Sequence, residues 1–331
     1  MAIIFKPYIN NLVTVIIPAH NCENYIEQTI QSVINQSYKK LQIIIINDGS
    51  TDGTSDRINK IYDPIIIVIN QTNHGVAATR NNGLKEADGE FVAFIDHDDI
   101  WHPDKISTQV QALINSSLNI CACFGNFIRW DGISNPSSLW SNISSNHLDK
   151  EYCGDLYTKL IETNWILLST AIFRRSALHE VGNFDPELPP ADDWDLVLKL
   201  SRRYDFIKIH GAVALYRIHP LQNSRRQPSR DIQTELRDSY LMRYGSQGKS
   251  GKKLDDSIIR QRRIKSKLSY ISTLLSCGSL YLALHQAAKL TLSHPTSYST
   301  WRMLIISAAK FICRIITNNS KGSATVKKCS E

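Results

Sequence analysis

Short apolar runs alternate with segments of helical periodicity along the first half of the chain. The runs are rich in β-branched residues and bounded by turn-forming residues, which predicts strands over residues 13–17, 41–46, 65–69 and 91–95, those over 41–46 and 91–95 being buried. Apolar residues at helical spacing, capping residues and an early proline predict helices over residues 25–34, 56–61, 76–86 and 103–113. Strands and helices that alternate in this way form right-handed βαβ units. The predicted fold class is therefore α/β, with a mostly parallel sheet flanked by helices.

Beyond residue 120 the alternation is less regular. Strands are expected over residues 120–124 and 165–173, and two short strands that turn at Gly211 are expected within residues 207–218. A helix with carboxylates in its first turn is expected over residues 192–200. Residues 131–150 are rich in Ser and Asn and have few apolar anchors, so a mobile loop is expected there.

The last third of the chain is predicted to be helical. The helical pattern extends from Asp231 to about Thr317, and the Lys-rich tail is expected to be disordered. The polar, proline-containing segment 222–230 is the candidate boundary between domains. The expected organisation is an α/β domain over residues 1–222, a basic helical region over residues 223–317 and a tail over residues 318–331.

Charge is distributed unevenly between these regions. The net charge of the chain is +7, but residues 1–230 carry 21 Lys and Arg against 25 Asp and Glu, whereas residues 231–331 carry 17 against 6. The basic character therefore belongs to the C-terminal helices and not to the polar clusters described below. These helices lack the interleaved aromatic and basic residues of nucleic-acid-binding surfaces, so no nucleic-acid partner is expected.

Three sequence features bear on cellular location. The seven cysteines are odd in number and scattered without zinc spacing, which favours reduced thiols and a cytoplasmic location. Residues 1–6 are too short an apolar run for a signal peptide, and no stretch reaches the ~18 apolar residues of a spanning helix. Residues 301–316 are apolar with interspersed cations, which leaves two alternatives open. They form a helix packed on the α/β domain, or one that lies peripherally on the inner face of a membrane.

Three carboxylates follow the predicted strand 91–95. Asp96, Asp98 and Asp99 are poor strand formers that would repel one another, so folding alone does not explain them. Open α/β sheets bind their ligands at the carboxyl ends of parallel strands. Carboxylates two residues apart suit Mg²⁺ or Mn²⁺, which keep coordination positions open for substrate phosphates. From these residues alone, the alternative is a solvated acidic loop.

Polar clusters also follow the first and second predicted strands, at residues 18–21 and 47–50. In a parallel sheet all three strand ends lie along one edge and form a ligand crevice. Asp48 is suited to accept hydrogen bonds from a base or ribose, and Arg80, on the helix 76–86, can reach the same crevice. The alternatives are a simple turn residue for Asp48 and a solvated surface side chain for Arg80.

Five segments, in this order along the chain, resemble the motifs of glycosyltransferase family 2, whose nucleotide-sugar-binding fold is called GT-A. The segments are residues 13–21 (VTVIIPAHN), 45–54 (IINDGSTDGT), 73–83 (NHGVAATRNNG), 94–105 (FIDHDDIWHPDK) and 192–196 (DDWDL). The resemblance covers roughly residues 12–220; each motif is weak alone, but the ordered set is specific. Asn47, Thr79 and Asp192 stand where the family usually has Asp, Ala and Glu, and the change at Asn47 bears on base preference.

The resemblance implies a nucleotide-diphosphate sugar as donor, with a UDP-sugar as the first expectation. Each donor-binding role is carried over by motif position. Asp48 would bind the base, often uracil in this family, and Asp96 would contact the ribose or sugar of the donor. The other residues implied at the donor are Pro18, Ala19 and Asn21, which would line the nucleotide pocket, and Arg80.

The resemblance also implies catalytic and metal-binding roles. Asp98 would hold Mg²⁺ or Mn²⁺ on the diphosphate, and His219 would be a further ligand or a donor to phosphate, the alternative being a surface histidine. Asp193 would be the general base that activates the acceptor hydroxyl, a contribution of typically ~10²–10⁴-fold. In-line displacement inverts the anomeric configuration and needs no second carboxylate as nucleophile.

The expected function is thus that of an inverting, metal-dependent glycosyltransferase. Its acceptor would be a saccharide or a lipid-linked sugar in the synthesis of cell-surface polysaccharide or glycoconjugate. The alternative is a non-catalytic nucleotide-sugar-binding subunit of a polysaccharide assembly complex, which would keep Asp48 and Asp98 but lack a usable base. A nicotinamide dehydrogenase is disfavoured because no G-x-G-x-x-G follows the first strand.

Overall fold

The computed structural model describes residues 7–219, residue 222 and residues 230–326, with side-chain surroundings to residue 314. The chain divides into two compact units. The first comprises Met1–Pro220 and Tyr244–Lys253, and the second comprises Leu221–Arg243 and Leu254–Glu331. The division between the units falls close to the proposed boundary at residue 222, and a ten-residue segment of the later chain belongs to the first unit.

An eight-stranded sheet forms the centre of the first unit, with the strand order β3-β2-β1-β4-β7-β6-β8-β5. Four of its seven pairings are parallel, including those that join β3, β2, β1 and β4. The strands are β1 (Ile9–Ala19), β2 (Leu41–Asp48), β3 (Ile66–Gln71), β4 (Gly89–Phe94), β5 (Ile100–Trp101), β6 (Ile120–Trp130), β7 (Ile172–Arg174) and β8 (Asp205–Arg217).

Helices connect and cover these strands, as the sequence pattern predicts. Those of the first unit are α1 (Ile26–Ile34), α2 (Thr54–Asn59), α3 (Val76–Glu86), α4 (Lys105–Ile114), α5 (Tyr157–Glu162), α6 (Arg175–Val181) and α7 (Asp192–Ser201). Short 3₁₀ helices lie at Pro136–Ser138, Lys150–Tyr152 and Leu168–Thr170. The first of these lies in the segment 131–150 that was predicted to be a loop.

The core of the first unit lies where the sequence predicts it. Residues 91–95 are at most 1% exposed, and the four consecutive isoleucines of β2 are fully buried. Gly83 lets α3 approach this sheet closely, because a Cβ atom added there would lie 2.6 Å from Ile16 Cγ2 and 3.0 Å from Ile46 Cδ1. The apolar runs of β1, β2 and β4 therefore form strands with both faces covered, as is usual for parallel strands. The edge strand β3 differs, because Ile67 and Val68 are 42% and 37% exposed.

Two strand predictions are wrong. Residues 165–173 are not one strand: only Ile172–Arg174 is a strand, and the residues before it form a loop and a 3₁₀ helix. Residues 207–218 are not two strands, because Asp205–Arg217 is continuous. Gly211 has a φ of +96° and lies where the pairing of β8 with β6 changes register, so this glycine makes a bulge and not a chain reversal.

Four helices make up the described part of the second unit: α8 (Ile232–Tyr244), α9 (Asp256–Ser276), α10 (Leu280–Ser293) and α11 (Tyr298–Val326). Apolar residues of α9 and α10 form a core cluster, against which Met303, Leu304 and Ile306 of α11 pack. The helix extends past Thr317, where the disordered tail was predicted to begin, and residues 327–331 lie outside the described residues. Within the described residues, no helix is both long enough and apolar enough to cross a bilayer.

Candidate active site

The polar clusters that follow β1, β2 and β4 meet at one edge of the sheet, because these three strands are adjacent and parallel. The His97 ring nitrogen Nδ1 lies 3.2 Å from the Pro18 carbonyl oxygen, and the His20 Nδ1 lies 2.8 Å from the Asp48 carbonyl oxygen. Asn21 is exposed at the rim, where its Oδ1 accepts a hydrogen bond from the Thr51 N–H at 2.8 Å. The three strand ends therefore lie together at this edge, where Pro18 and Ala19 are buried.

Asp48 is buried at the end of β2, and its carboxylate faces the loop that leads into α3. Oδ1 accepts hydrogen bonds from the His74 N–H at 2.8 Å and from Gln71 Nε2 at 2.7 Å. Oδ2 accepts one from the Gly75 N–H at 3.0 Å. Asp48 thus holds together the two loops that border the crevice; its contact with a base stays a prediction.

Arg80 joins two parts of the site that are far apart in sequence. Its Nη1 donates to Asp192 Oδ2 at 2.8 Å and its Nη2 donates to Asp96 Oδ1 at 2.7 Å. Only 6% of its side chain is exposed, and the guanidinium lies 5.4 Å from the centre of the Phe184 ring. Burial alone would lower the pKa of Arg80, but Asp96 and Asp192 outweigh it and raise that pKa. Arg80 is therefore no solvated surface residue, but a permanent cation between two carboxylates.

The acidic pair at the start of α7 is divided between two environments. Asp192 is buried and ion-paired to Arg80, whereas Asp193 is partly exposed. Asn164 Nδ2 lies 3.3 Å from Asp193 Oδ2, and the Trp194 N–H donates to Asp193 Oδ1 at 2.6 Å. Burial and the neighbouring Asp192 carboxylate raise the pKa of Asp193 to about 7. A carboxylate with such a pKa can exchange a proton near neutral pH.

Asp98 and His219 form a second group at the same edge. His219 Nε2 lies 2.8 Å from Asp98 Oδ2, and the His219 ring packs against Tyr25 with a centroid distance of 4.5 Å. Arg217 Nε donates to the Asp98 carbonyl oxygen at 2.8 Å, and its guanidinium lies 4.2 Å from the centre of the Trp130 ring. The end of β8 thus positions both His219 and the backbone of the acidic loop.

Two more residues contribute at this edge: Ser169, which the sequence did not indicate, and Asp99, the third carboxylate of the acidic loop. Ser169 accepts a hydrogen bond from the Asp96 N–H at its Oγ, and its carbonyl oxygen accepts one from Trp101 Nε1 at 2.7 Å. Asp99 is fully buried, and its Oδ1 accepts the Arg217 N–H at 3.3 Å. Burial, followed by the charges of Asp98 and Asp96, raises the pKa of Asp99 well above its ordinary value.

The donor atoms at Asp98 and His219 fit a divalent cation. One carboxylate oxygen and one imidazole nitrogen face each other, which is a donor pair that Mn²⁺ accepts and that leaves coordination positions for phosphate oxygens. Within the described residues, no group of three or more His, Cys, Asp or Glu side chains can hold a metal ion. The Asp98–His219 pair is by itself an incomplete coordination shell for such an ion.

Taken together, the fold and the site define an α/β protein with a polar, charged cluster at the carboxyl edge of its parallel strands. The cluster combines an Asp–His pair, an arginine held by two carboxylates and a carboxylate whose pKa is raised to about 7. A group of titratable side chains with shifted pKa values is a candidate catalytic site.

Comparison with known proteins identifies the family. The family model described as glycosyl transferase family 2 matches residues 14–182, which is more than half of the chain. The UDP-Glc:alpha-D-GlcNAc-diphosphoundecaprenol beta-1,3-glucosyltransferase WfaP of Escherichia coli is 49% identical over 100 residues, covering 30% of this chain and 40% of that protein. The chain therefore belongs to glycosyltransferase family 2. It spans less than half the length of the first curated relatives that it matches.

Solved structures agree with this fold. Staphylococcus aureus TarS 1–349 in complex with UDP-GlcNAc aligns with a TM-score of 0.55 at 18% identity, covering 89% of each chain. The mannosyltransferase PcManGT from Pyrobaculum calidifontis, in complex with GDP-Man and Mn²⁺, aligns with a TM-score of 0.51 at 22% identity, covering 90% of this chain and 86% of that one. The sheet and its flanking helices thus have the GT-A fold that the sequence motifs predict.

The structure brings the predicted site residues together in three groups. Asp96 and Arg80 join the acidic pair of α7, Asp98 pairs with His219, and Asp48 lies with the loop that leads into α3. The residues not predicted are Asn164, Ser169 and Arg217. Arg217 had a signal in the sequence, since it lies two residues before His219 at the end of an apolar run, whereas Asn164 and Ser169 lie in a loop without a motif.

Proposed function

We propose that this chain is an inverting, metal-dependent glycosyltransferase. It transfers a sugar from a nucleotide-diphosphate donor, in the first instance a UDP-sugar, to a saccharide or lipid-linked acceptor. The observation that carries the proposal is the grouping of the Asp98–His219 pair, Arg80 and Asp193 at one sheet edge. A role in the synthesis of cell-surface polysaccharide or glycoconjugate is supported by the relatives, among them a putative teichuronic acid biosynthesis glycosyltransferase of Bacillus subtilis.

Asp193 is the general base of the proposed reaction. The acceptor hydroxyl gives its proton to the Asp193 carboxylate while its oxygen forms a bond to the anomeric carbon of the donor. The bond from that carbon to the diphosphate breaks, and its electron pair leaves with the nucleoside diphosphate, so the configuration inverts. Asp193 suits this role better than Asp192, because Asp192 is buried and already paired with Arg80.

The leaving diphosphate carries the largest charge in the reaction. Asp98 and His219 would hold Mg²⁺ or Mn²⁺, which neutralises that charge as a Lewis acid when bound. Arg80 positions the site: by pairing with Asp96 and Asp192 it fixes the end of β4 relative to the start of α7. The solved neighbours bind UDP-GlcNAc and GDP-Man with Mn²⁺, which supports a nucleotide sugar and a divalent ion here.

The test is sugar transfer and donor hydrolysis with a panel of UDP- and GDP-sugars in the presence of Mn²⁺ or Mg²⁺. Asp193→Asn and Asp98→Asn remove a charge at almost constant shape, and each is expected to lower turnover by ~10²-fold or more. The matched control is Asp56→Asn, which alters an exposed aspartate on α2. Near-normal turnover in either site variant contradicts the role assigned to that residue.

The same assay separates the enzyme from the non-catalytic subunit considered above. A subunit without turnover would still be stabilised against heat by a nucleotide sugar and a divalent ion, because ligand binding raises the free energy of unfolding. It would neither hydrolyse nor transfer the sugar. Donor-dependent stabilisation with no product, at any donor or metal in the panel, contradicts the enzymatic proposal and supports the binding subunit.

Peripheral contact with the inner face of a membrane is part of the proposal. Tyr298, Trp301, Ile305 and Ile312 lie on one side of α11 and are between 48% and 81% exposed, in the last third of the chain, which carries the positive charge. Binding to vesicles of phosphatidylcholine with phosphatidylglycerol is expected to fall strongly in Ile305→Glu. The control is Leu292→Glu, at an exposed apolar position of α10. Equal loss in both variants, or in neither, contradicts this contact.

A further inference from the structure

A cleft of about 170 Å³ in the first unit has no role in the reaction as described so far. Three of its six lining residues are aromatic, and an amide and an ammonium group contribute to an exposed surface that is mostly polar. The lining residues are Phe124, Gly125, Asn126, Phe127, Trp165 and Lys208. The volume is well below the ~300 Å³ at which pockets for drug-sized ligands begin, so the cleft suits a single small ring.

Strand register places this cleft at the same edge of the sheet as the carboxylates. Cys123 of β6 pairs with Ile172 of β7, which pairs with Ala93 of β4. Phe124 is therefore level with Phe94, and the three residues after Phe124 continue toward the same edge of the sheet as the acidic loop that follows β4. The cleft consequently opens where a substrate bound at the carboxyl ends of the strands would lie.

A two-residue segment connects the cleft to the proposed base. Asn164 Nδ2 lies 3.3 Å from Asp193 Oδ2, and the next residue, Trp165, forms one wall of the cleft. A molecule held against Trp165 thus contacts the residue that follows Asn164 in the sequence, and Asn164 contacts Asp193. The other aromatic walls, Phe124 and Phe127, belong to β6 and are carried by the sheet.

Trp165 is held in place although it is partly exposed. Its ring lies 5.3 Å from the Phe124 ring and 4.8 Å from the Tyr152 ring, in tilted and edge-on arrangements. A fixed aromatic face of this kind accepts the apolar C–H face of a sugar ring, and polar groups around it can receive the hydroxyls. Asn126 is exposed at the rim and supplies both a donor and an acceptor.

The charge of the cleft indicates which sugars fit. Lys208 Nζ lies 2.9 Å from Asp149 Oδ2 and 4.3 Å from the centre of the Tyr152 ring. The Lys208 ammonium is thus paired with the Asp149 carboxylate, and together the two groups carry no net charge. An uncharged sugar is therefore favoured over a uronic acid or a sugar phosphate.

We propose that this cleft is the acceptor subsite, and that it binds one uncharged pyranose ring stacked on Trp165. This inference rests on the proposed function, because it assumes transfer to a hydroxyl. The bound ring presents that hydroxyl to Asp193, which takes its proton as the oxygen bonds to the anomeric carbon of the donor and the nucleoside diphosphate leaves.

The test uses four uncharged probes, the methyl pyranosides of glucose, galactose, mannose and N-acetylglucosamine. Their binding to the protein is measured by saturation-transfer NMR, alongside thermal stabilisation by UDP with Mn²⁺. At least one probe is expected to bind the wild type. Trp165→Ala is expected to weaken that probe about tenfold or more, whereas Trp165→Phe, which keeps a ring, retains most of the binding.

Two readouts separate failure of this inference from failure of the proposed function. Stabilisation by UDP with Mn²⁺ is expected to be unchanged in Trp165→Ala, which also shows that the variant is folded. The matched control is Trp301→Ala, which removes an exposed tryptophan of the second unit and is expected to leave probe binding intact. Binding of no probe to the wild type, or equal binding in Trp165→Ala, overturns the acceptor subsite. Absence of donor stabilisation and of turnover in the wild type overturns the proposed function instead.

Discussion

Replacing Lys105 with methionine is expected to make the protein more stable near neutral pH. Lys105 begins α4 and is fully buried, with its Nζ 4.2 Å from the centre of the Trp101 ring. Among the residues that the structure describes, none forms a hydrogen bond with this ammonium group. Burial lowers the pKa of Lys105 from 10.5 to about 7. A methionine keeps most of the apolar stem and removes the group that needs solvation.

The magnitude follows from that pKa. A shift of about 3.5 pKa units corresponds to about 5 kcal/mol at ~1.4 kcal/mol per unit, felt in full below pH 7. Loss of the cation–π contact with Trp101 offsets about 1–2 kcal/mol, so Lys105→Met is expected to be about 3 kcal/mol more stable at pH 7. Between the pKa of the folded state and that of the unfolded state, the unfolded chain binds more protons. The contribution of Lys105 therefore becomes less unfavourable as the pH rises, by ~1.4 kcal/mol per pH unit.

The measurement is urea unfolding at pH 7, 8 and 9, followed by tryptophan fluorescence. Five of the six tryptophans lie between residues 101 and 194, so the signal reports on the first unit. Burial raises the pKa of Cys121 and Cys123, which lowers stability at high pH in both proteins. The Cys121 contribution cancels in the difference between the two proteins, whereas that of Cys123 also responds to the substitution, because the Lys105 charge lowers the pKa of Cys123.

Lys60→Met, at an exposed lysine, is the control and is expected to show no pH-dependent difference from the wild type. A Lys105→Met protein that is less stable than the wild type at pH 7 would refute this reasoning. So would a stability difference that stays constant from pH 7 to pH 9.

Three further predictions concern the site and its support. Gly83→Ala is expected to lower the free energy of unfolding by about 1–3 kcal/mol, because the Cβ of the alanine would lie 2.6 Å from Ile16 Cγ2. Urea unfolding measures this change, and an unchanged stability contradicts the close packing of α3 on the sheet. Arg80→Lys is expected to lower turnover more than donor affinity, since lysine cannot contact Asp96 and Asp192 together. Equal kinetics in the wild type and the variant contradict a positioning role for these two ion pairs of Arg80. The turnover rate is expected to fall about tenfold per pH unit below pH 7, where Asp193 becomes protonated, because burial and Asp192 raise the pKa of Asp193 to about 7. Asp192→Asn should move that limb to lower pH, and an unmoved profile contradicts the assignment of the titration to Asp193.

The sequence alone was sufficient for the parts of this protein that depend on local pattern. The buried strands β1, β2 and β4 are apolar runs longer than chance, and each ends at a polar cluster. The carboxyl ends of neighbouring parallel strands lie at the same edge of a sheet. The grouping of the polar clusters at that edge therefore follows from the order of the elements, without any knowledge of long-range contacts. The family motifs lie on these same strand ends, which explains why both the fold and the candidate site were predictable.

The tertiary structure decided which side chains form ion pairs, which are buried and which have a shifted pKa. Arg80 and Asp192 lie 112 positions apart, so no local pattern distinguishes a buried bridging arginine from a solvated one. The loop that holds Asn164, Trp165 and Ser169 has the apolar content of a strand, and its real conformation depends on the neighbours that it packs against. Charge pairing, burial and pKa are properties of the three-dimensional surroundings. The sequence therefore determined which residues are present at the sheet edge, and only packing decided which carboxylate pairs with the arginine and which one titrates near neutral pH.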